Sequence, residues 1–326
     1  MRSSRLGGLA IMLGSATSNQ VGAAVGAHAF ASVGPAGVVA VRQLVAAAAL
    51  LAVARPDPRR FTWPQWWPTL LLAGTFAVMN LSLYTAVDRI GLGLAVTLEV
   101  LGPLALALAG SRTGFDLCCA VAAGAGVYVL VLPGPASDYA GIGCALLAAA
   151  CWAAYILLNR VLGARVPGIQ ATAVATTVSA LGYLPVAVIL VAQGRFGAAG
   201  LAYAAGAGVL SSLPYALDLI ALRRVPARFF GMFMSVHPVL AALAGLVLLG
   251  QALHPREWAG ITIVIGVLAL NGLKRRSDAA GPHTSGAPAG SRCGGNPASS
   301  RRGSRTPSAP TARAGSRTAA APRSCG

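Results

Sequence analysis

Ten times before residue 275 the chain runs through a long apolar stretch bounded by charge, proline or glycine. The stretches cover 8–29, 36–54, 66–87, 90–110, 115–133, 139–159, 169–193, 198–221, 229–250 and 256–273. A helix needs about 20 apolar residues to cross roughly 30 Å of hydrocarbon, so a bilayer selects segments of this kind. Only 10% of the residues are charged and 56% are hydrophobic, whereas soluble domains carry about 25% charged residues. Lipid admits only helices and closed barrels, and barrels would show alternation in pieces of about ten residues. The pattern predicts an all-α polytopic membrane protein with ten transmembrane helices.

The net charge of +17 could point to nucleic acid, but its placement argues against that. Seven arginines and one aspartate fall in residues 277–326, and the other basic residues sit almost wholly between the apolar stretches. No interleaving of basic and aromatic residues suits a nucleic-acid surface. Basic loops beside spans instead report orientation. One set of loops holds Arg2, Arg5, Arg55, Arg59, Arg60, Arg112, Arg160, Arg165, Arg223, Arg224, Arg228, Lys274, Arg275 and Arg276. The opposite set holds Arg89, Arg195 and Arg256. Fourteen against three puts both termini in the cytoplasm.

Sliding the chain by 135 residues lays 86–110 over 221–245 with seven identities in 25 positions, among them Arg89/Arg224, Pro103/Pro238 and Gly110/Gly245. The shift equals five spans, an odd number, so the two halves cross the membrane in opposite senses. Inverted repeats form a transporter architecture with the substrate site at the repeat interface. The expected organisation is a first five-helix repeat over 1–137, a second over 138–276, and a tail over 277–326. The tail is rich in Gly, Pro, Ser, Ala and Arg and lacks large apolar residues, so it is expected to be disordered. It either binds anionic lipid headgroups weakly or is an extension with no role.

Two simpler features need less. "MRSSRLGGLAIML" resembles a signal peptide, but Asn19 and Gln20 interrupt the apolar run, which favours a retained first span. The six cysteines lack metal-site spacing, and no metal or cofactor is implied.

Information concentrates in polar residues inside the spans. Glu99 lies near the centre of span 4, where a charge costs about 2.5–3.5 kcal/mol on insertion scales. It reads either as a proton or cation site facing an internal cavity or as a protonated structural acid, and the first is favoured for an intramembrane acid. Pro103 lacks the N–H that would bond the carbonyl four residues earlier, at Glu99 itself. The opened backbone either helps coordinate a polar solute or simply kinks the helix for packing.

At the repeat-equivalent place His237 precedes Pro238. A histidine exchanges protons near neutral pH, although a helix-to-helix hydrogen bond is the blander role. Span 8 carries Pro214, Tyr215 and Asp218, the last close enough to Arg223 and Arg224 for an interfacial salt bridge. Arg42 in span 2 either snorkels to the outer interface or acts as counter-charge to Glu99 or to a substrate carboxylate. Gln20, Asn80, Tyr84, Trp152 and Tyr155, with Asn19, His28 and Asn159, can line a polar path or serve as packing glue.

Together, "LAVTLEVLGPLALAL" (94–108), "AACWAAYILLNRV" (149–161) and "SSLPYALDLIALRRVPARFFGMFMSVHPVLAALAGLVLLGQAL" (211–253) resemble the EamA-type branch of the drug/metabolite transporter superfamily. Within it the chain is most similar to the threonine/homoserine exporter group, over about residues 6–275. The resemblance implies a ten-helix inner-membrane carrier that moves amino acids or similar metabolites outward in exchange for protons. The group's glutamate before Gly-Pro matches Glu99, and its Pro-Tyr segment and acid match Pro214, Tyr215 and Asp218. Two positions depart from the pattern: His237-Pro238 stands where the group has Glu-Pro, and Gly250-Gln251 where it has Gly-Glu.

The reading is therefore a secondary active exporter of small, amino acid-like substrates, with Glu99 and His237 as proton groups and Arg42 or tyrosines as substrate groups. Protons, the substrate and the bilayer are its expected partners; the oligomeric state is open. A facilitative channel or carrier for another metabolite is the alternative. A membrane-embedded enzyme is disfavoured, because no His-Glu-x-x-His pattern, loop aspartate pair or nucleophilic serine with a base is present.

Overall fold

The apolar stretches become helices whose ends are set by local chemistry. The computed structural model describes residues 2–109, 114–131, 138–166, 169–222 and 236–279. They form eleven α-helices: α1 (Arg2–Ala27), α2 (Phe30–Ala54), α3 (Trp63–Ile90), α4 (Leu92–Glu99), α5 (Leu101–Ala109) and α6 (Gly114–Val131), then α7 (Tyr139–Gly163), α8 (Gln170–Ala192), α9 (Ala198–Leu222), α10 (Val236–Leu249) and α11 (Pro255–Ala279). A single 3₁₀ turn spans Pro58–Arg60. By length and composition, α2, α3, α7 and α8 can each cross a membrane; shorter apolar helical runs cover Leu92–Leu106, Gly114–Val129, Ala198–Ser211 and Val236–Leu249.

The termini follow the capping rules. Thr62 and Gln65 form a capping box at the start of α3, with Pro64 in its first turn, so three orphan N-terminal donors are answered or absent. The Asp138 carboxylate accepts the Gly141 N–H at 2.8 Å and opens α7. That hydrogen bond, helped by the Arg89 guanidinium 3.0 Å away, holds the Asp138 carboxyl below the ordinary carboxylate range. Gly91 separates α3 from α4 at φ +82°, a left-handed value that a residue with a Cβ adopts only under strain.

Span 4 is not one helix. Its two pieces, α4 and α5, meet at Val100, directly after Glu99 and three residues before Pro103. Proline at this place cannot supply the bond to the Glu99 carbonyl, and the ladder lapses where that bond would be. One turn on, the α5 backbone runs into that of α7: a Cβ on Gly102 would lie 1.9 Å from the Ala149 carbonyl oxygen.

Packing joins helices far apart in sequence. The broadest contacts pair α3 with α7, α1 with α9, α2 with α8 and α9, α3 with α8, and α6 with α11; α4 packs on α10 and α7, and α1 on α10. Each of these pairs takes one helix from residues 1–137 and one from 138–276, so the two stretches interleave. The main apolar cluster gathers Ala23, Ala24, Val87, Leu92, Ala95, Leu98, Ala145, Ala241, Ala242 and Ile261 from α1, α3, α4, α7, α10 and α11. A second, around Val38, Val39, Tyr84 and Tyr183, packs α2, α3 and α8 together. Leucines and valines on α6, α7 and α8, such as Leu117, Val121, Leu147, Val188 and Val191, stay exposed, as a lipid-facing surface requires.

Candidate functional site

Glu99 is the last residue of α4 and only 7% of it is exposed. The break behind it and the close α5–α7 crossing at Gly102 place the acid among helices rather than toward the outer surface. Arg42 of α2 acts on it electrostatically, and Cys151 of α7 lies in its field. Among the described residues the ion pairs are Arg60–Asp57 and Arg89–Asp138. Arg42 and Glu99 are therefore not in ion-pair contact; their charged atoms lie more than 4.0 Å apart.

Arg42 does not snorkel. Its Nη1 donates to Asn80 Oδ1 on α3, and its guanidinium sits over the Tyr84 ring, 5.3 Å from the centroid, within cation–π range. Asn80 in turn donates Nδ2–H to the Phe76 carbonyl at 2.8 Å, which fixes which end of the amide faces Arg42. Phe76 stacks at a tilt on Tyr155 of α7, centroids 5.4 Å apart. Tyr84 is 1% exposed and meets Phe30 edge-on. Arg42, Asn80, Tyr84 and Tyr155, chosen from sequence separately, thus form one cluster across α2, α3 and α7.

A second cluster joins α1, α7 and α10. Gln20, buried on α1, lies with its Nε2 3.3 Å from His237 Nδ1. Trp152 meets the same imidazole edge-on at a centroid distance of 6.2 Å. Pro238 is buried beside it. His28 stays apart, stacked near Tyr203 at 5.4 Å. The side chains of Pro214, Tyr215 and Asp218 lie outside the described residues, as do Arg223 and Arg224.

Some buried polar groups were not singled out in the sequence. Gln43 Nε2 donates to Ser179 Oγ at 2.9 Å and ties α2 to α8. Tyr183 donates its hydroxyl to the Ala77 carbonyl at 2.7 Å. Asp116 is buried in the first turn of α6, where the helix dipole favours a negative charge. An acid just after a span boundary is the only signal in the sequence that could have flagged it.

Residues 139–273 match the EamA-like transporter family. Across 261 residues the chain is 34% identical to the threonine/homoserine exporter RhtA of Escherichia coli (strain K12), covering 79% of this chain and 88% of the exporter. The chain belongs to the EamA-like transporter family. It is also 36% identical over 247 residues to the threonine/homoserine exporter RhtA of Salmonella typhimurium (strain LT2), covering 74% of this chain and 83% of that one. An uncharacterized protein of Pseudomonas aeruginosa, PA1977, shares 34% identity over 219 residues, 65% of this chain and 74% of its own. One solved crystal structure shares the fold, with a TM-score of 0.53 at 21% identity, covering 84% of this chain and 99% of its own. Membership of the EamA-like family makes the chain a multi-pass membrane protein of transporter ancestry, and its apolar helices are compatible with transmembrane spans.

Proposed function

We propose that this EamA-family protein exports small amino acids of the threonine/homoserine class in exchange for protons, by alternating access between two inverted five-helix halves. The two RhtA relatives named above are threonine/homoserine exporters. The observation that carries the reading is Glu99: an acid buried at a helix break, within electrostatic reach of Arg42, on the half of the chain opposite His237.

The packing supports the inverted-repeat part. Let each span trade places with the one five further on. The α3–α7 pair then maps onto α9–α1, α2–α9 onto α8–α3, and α1–α10 onto α7–α4, while α2–α8, α4–α10 and α6–α11 map onto themselves. These contacts between the halves map onto one another under that exchange, as a pseudo-two-fold axis in the membrane plane would make them. The family match over 139–273 falls within the proposed second half, 138–276. The loop charges favour cytoplasmic termini.

Chemically, a proton on Glu99 removes the cost of a bare carboxylate in the membrane interior. A carrier whose acid must be either protonated or paired with substrate to change sides exchanges one for the other. Labelled threonine uptake into inverted membrane vesicles tests this. An acid lumen is expected to speed accumulation, and a protonophore to abolish the effect. Saturable uptake indifferent to the pH gradient would replace antiport with facilitated passage.

A further inference from the structure

Two hydrogen-bond donors in the Arg42 cluster have no partner. Arg42 Nε and the Tyr84 hydroxyl are both buried from solvent, and neither meets an acceptor among the described residues. Buried polar groups are nearly always satisfied, so an orphan asks for an explanation, an absent ligand among them. Here two occur together, on side chains in cation–π contact.

The rest of the cluster narrows what they can bind. The Nη1 edge of Arg42 is held by Asn80 Oδ1, and Asn80 cannot turn its amide without losing the Phe76 carbonyl. The neighbouring Gln43 is committed to Ser179. What remains is a cation whose buried orphan Nε–H lies beside the orphan Tyr84 hydroxyl, and the complementary group is an anion with two acceptor oxygens. A carboxylate fits, and charge-assisted bonds to guanidinium are the strong kind. Glu99 is within electrostatic reach of Arg42 but not in contact with it. A guest carrying a carboxylate at one end and an ammonium at the other complements both charges with no net charge added.

We propose that Arg42 Nε and the Tyr84 hydroxyl anchor the α-carboxylate of a zwitterionic substrate whose ammonium group turns to Glu99, with Asn80 as the positioning residue that orients the guanidinium. The proposal deepens the export reading and rests on it for the cargo class. It also gives exchange a cause. The substrate ammonium and the coupling proton compete for the same carboxylate, so one leaves as the other arrives.

The test uses the purified full-length protein in liposomes and in detergent. Unlabelled threonine is expected to compete with labelled threonine, while threonine amide (no carboxylate) and N-acetylthreonine (no ammonium) compete at least tenfold more weakly. Arg42→Lys and Tyr84→Phe are expected to raise KM about tenfold and several-fold, with kcat much less affected. Asn80→Asp supplies an internal carboxylate to Arg42 and is expected to raise KM and to erase discrimination against threonine amide. Equal competition by the amide in the wild type, or KM within twofold in both Arg42→Lys and Tyr84→Phe, overturns the proposal.

A thermal-shift arm separates this from failure of the export reading, with size-exclusion profiles confirming that each variant is folded. If no threonine is transported, stabilisation by threonine that Arg42→Gln and Tyr84→Phe both lose still supports the site. Absence of stabilisation by any free amino acid, with no transport, overturns site and cargo together.

Discussion

The side chain of Gln251 reaches back to the start of α4, where its Oε1 accepts the Leu92 N–H at 2.9 Å. Gln251 follows α10, so the bond ties the end of one helix to the start of another 159 positions away in sequence. Gly91 and Gly245 make room: a Cβ on either would come within 3.1 Å and 2.9 Å of that oxygen. Leu92 is fully buried, and a buried N–H left without an acceptor costs about 1–3 kcal/mol. Gln251→Leu is therefore expected to lower the Tm of the detergent-solubilised protein, and Gln251→Glu, which keeps the acceptor, to retain most of it. A leucine variant as stable as wild type would show that water or a shifted backbone already serves Leu92.

Gly102 governs how closely α5 can cross α7. An added methyl group would collide with backbone at Ala149, not with a flexible side chain. Overpacking of this kind costs about 1–3 kcal/mol, and here relief requires moving the helix that follows Glu99. Gly102→Ala is expected to lower both Tm and transport rate, measured on the same preparation. Unchanged values for both would mean that the two helices separate freely.

Asp138 makes stability depend on pH at one end of the molecule. Its folded carboxyl titrates below its unfolded value, first because Gly141 donates to it and then because Arg89 pairs with it. Such a group contributes stability above its unfolded pKa, near pH 4, and the contribution fades as pH falls through the lower folded value. Asp138→Ala is expected to melt below wild type at pH 7, with the difference shrinking as the pH falls below the ordinary carboxylate range. A difference independent of pH would assign the effect to the cap's shape and not to its charge.

Much of the fold was legible because hydropathy over about 20 residues is a strong signal. Span 66–87 became Trp63–Ile90 because the Thr62–Gln65 capping box starts the helix a little earlier. The break after Glu99 was legible too, since Pro103 removes one specific donor. Side-chain partnerships were not. Asn80 meets Arg42 across 38 positions and Gln20 meets His237 across 217, and which faces of two helices touch depends on packing that no local pattern encodes. Arg42 shows the difficulty best. A lone arginine near a span end is compatible with snorkelling or with inward pairing, and only the neighbour Asn80 decides between them.

Substrate-driven proton movement in proteoliposomes, read with an entrapped pH-sensitive dye, bears on Glu99 more than any other observable. In wild type, adding threonine to one side is expected to move protons to that side, in proportion to the threonine carried. Glu99→Gln is expected to abolish the proton signal while the protein remains folded by size exclusion. A variant that moves threonine and protons as the wild type does would make the acid structural, and proton exchange would have to lie elsewhere or be absent.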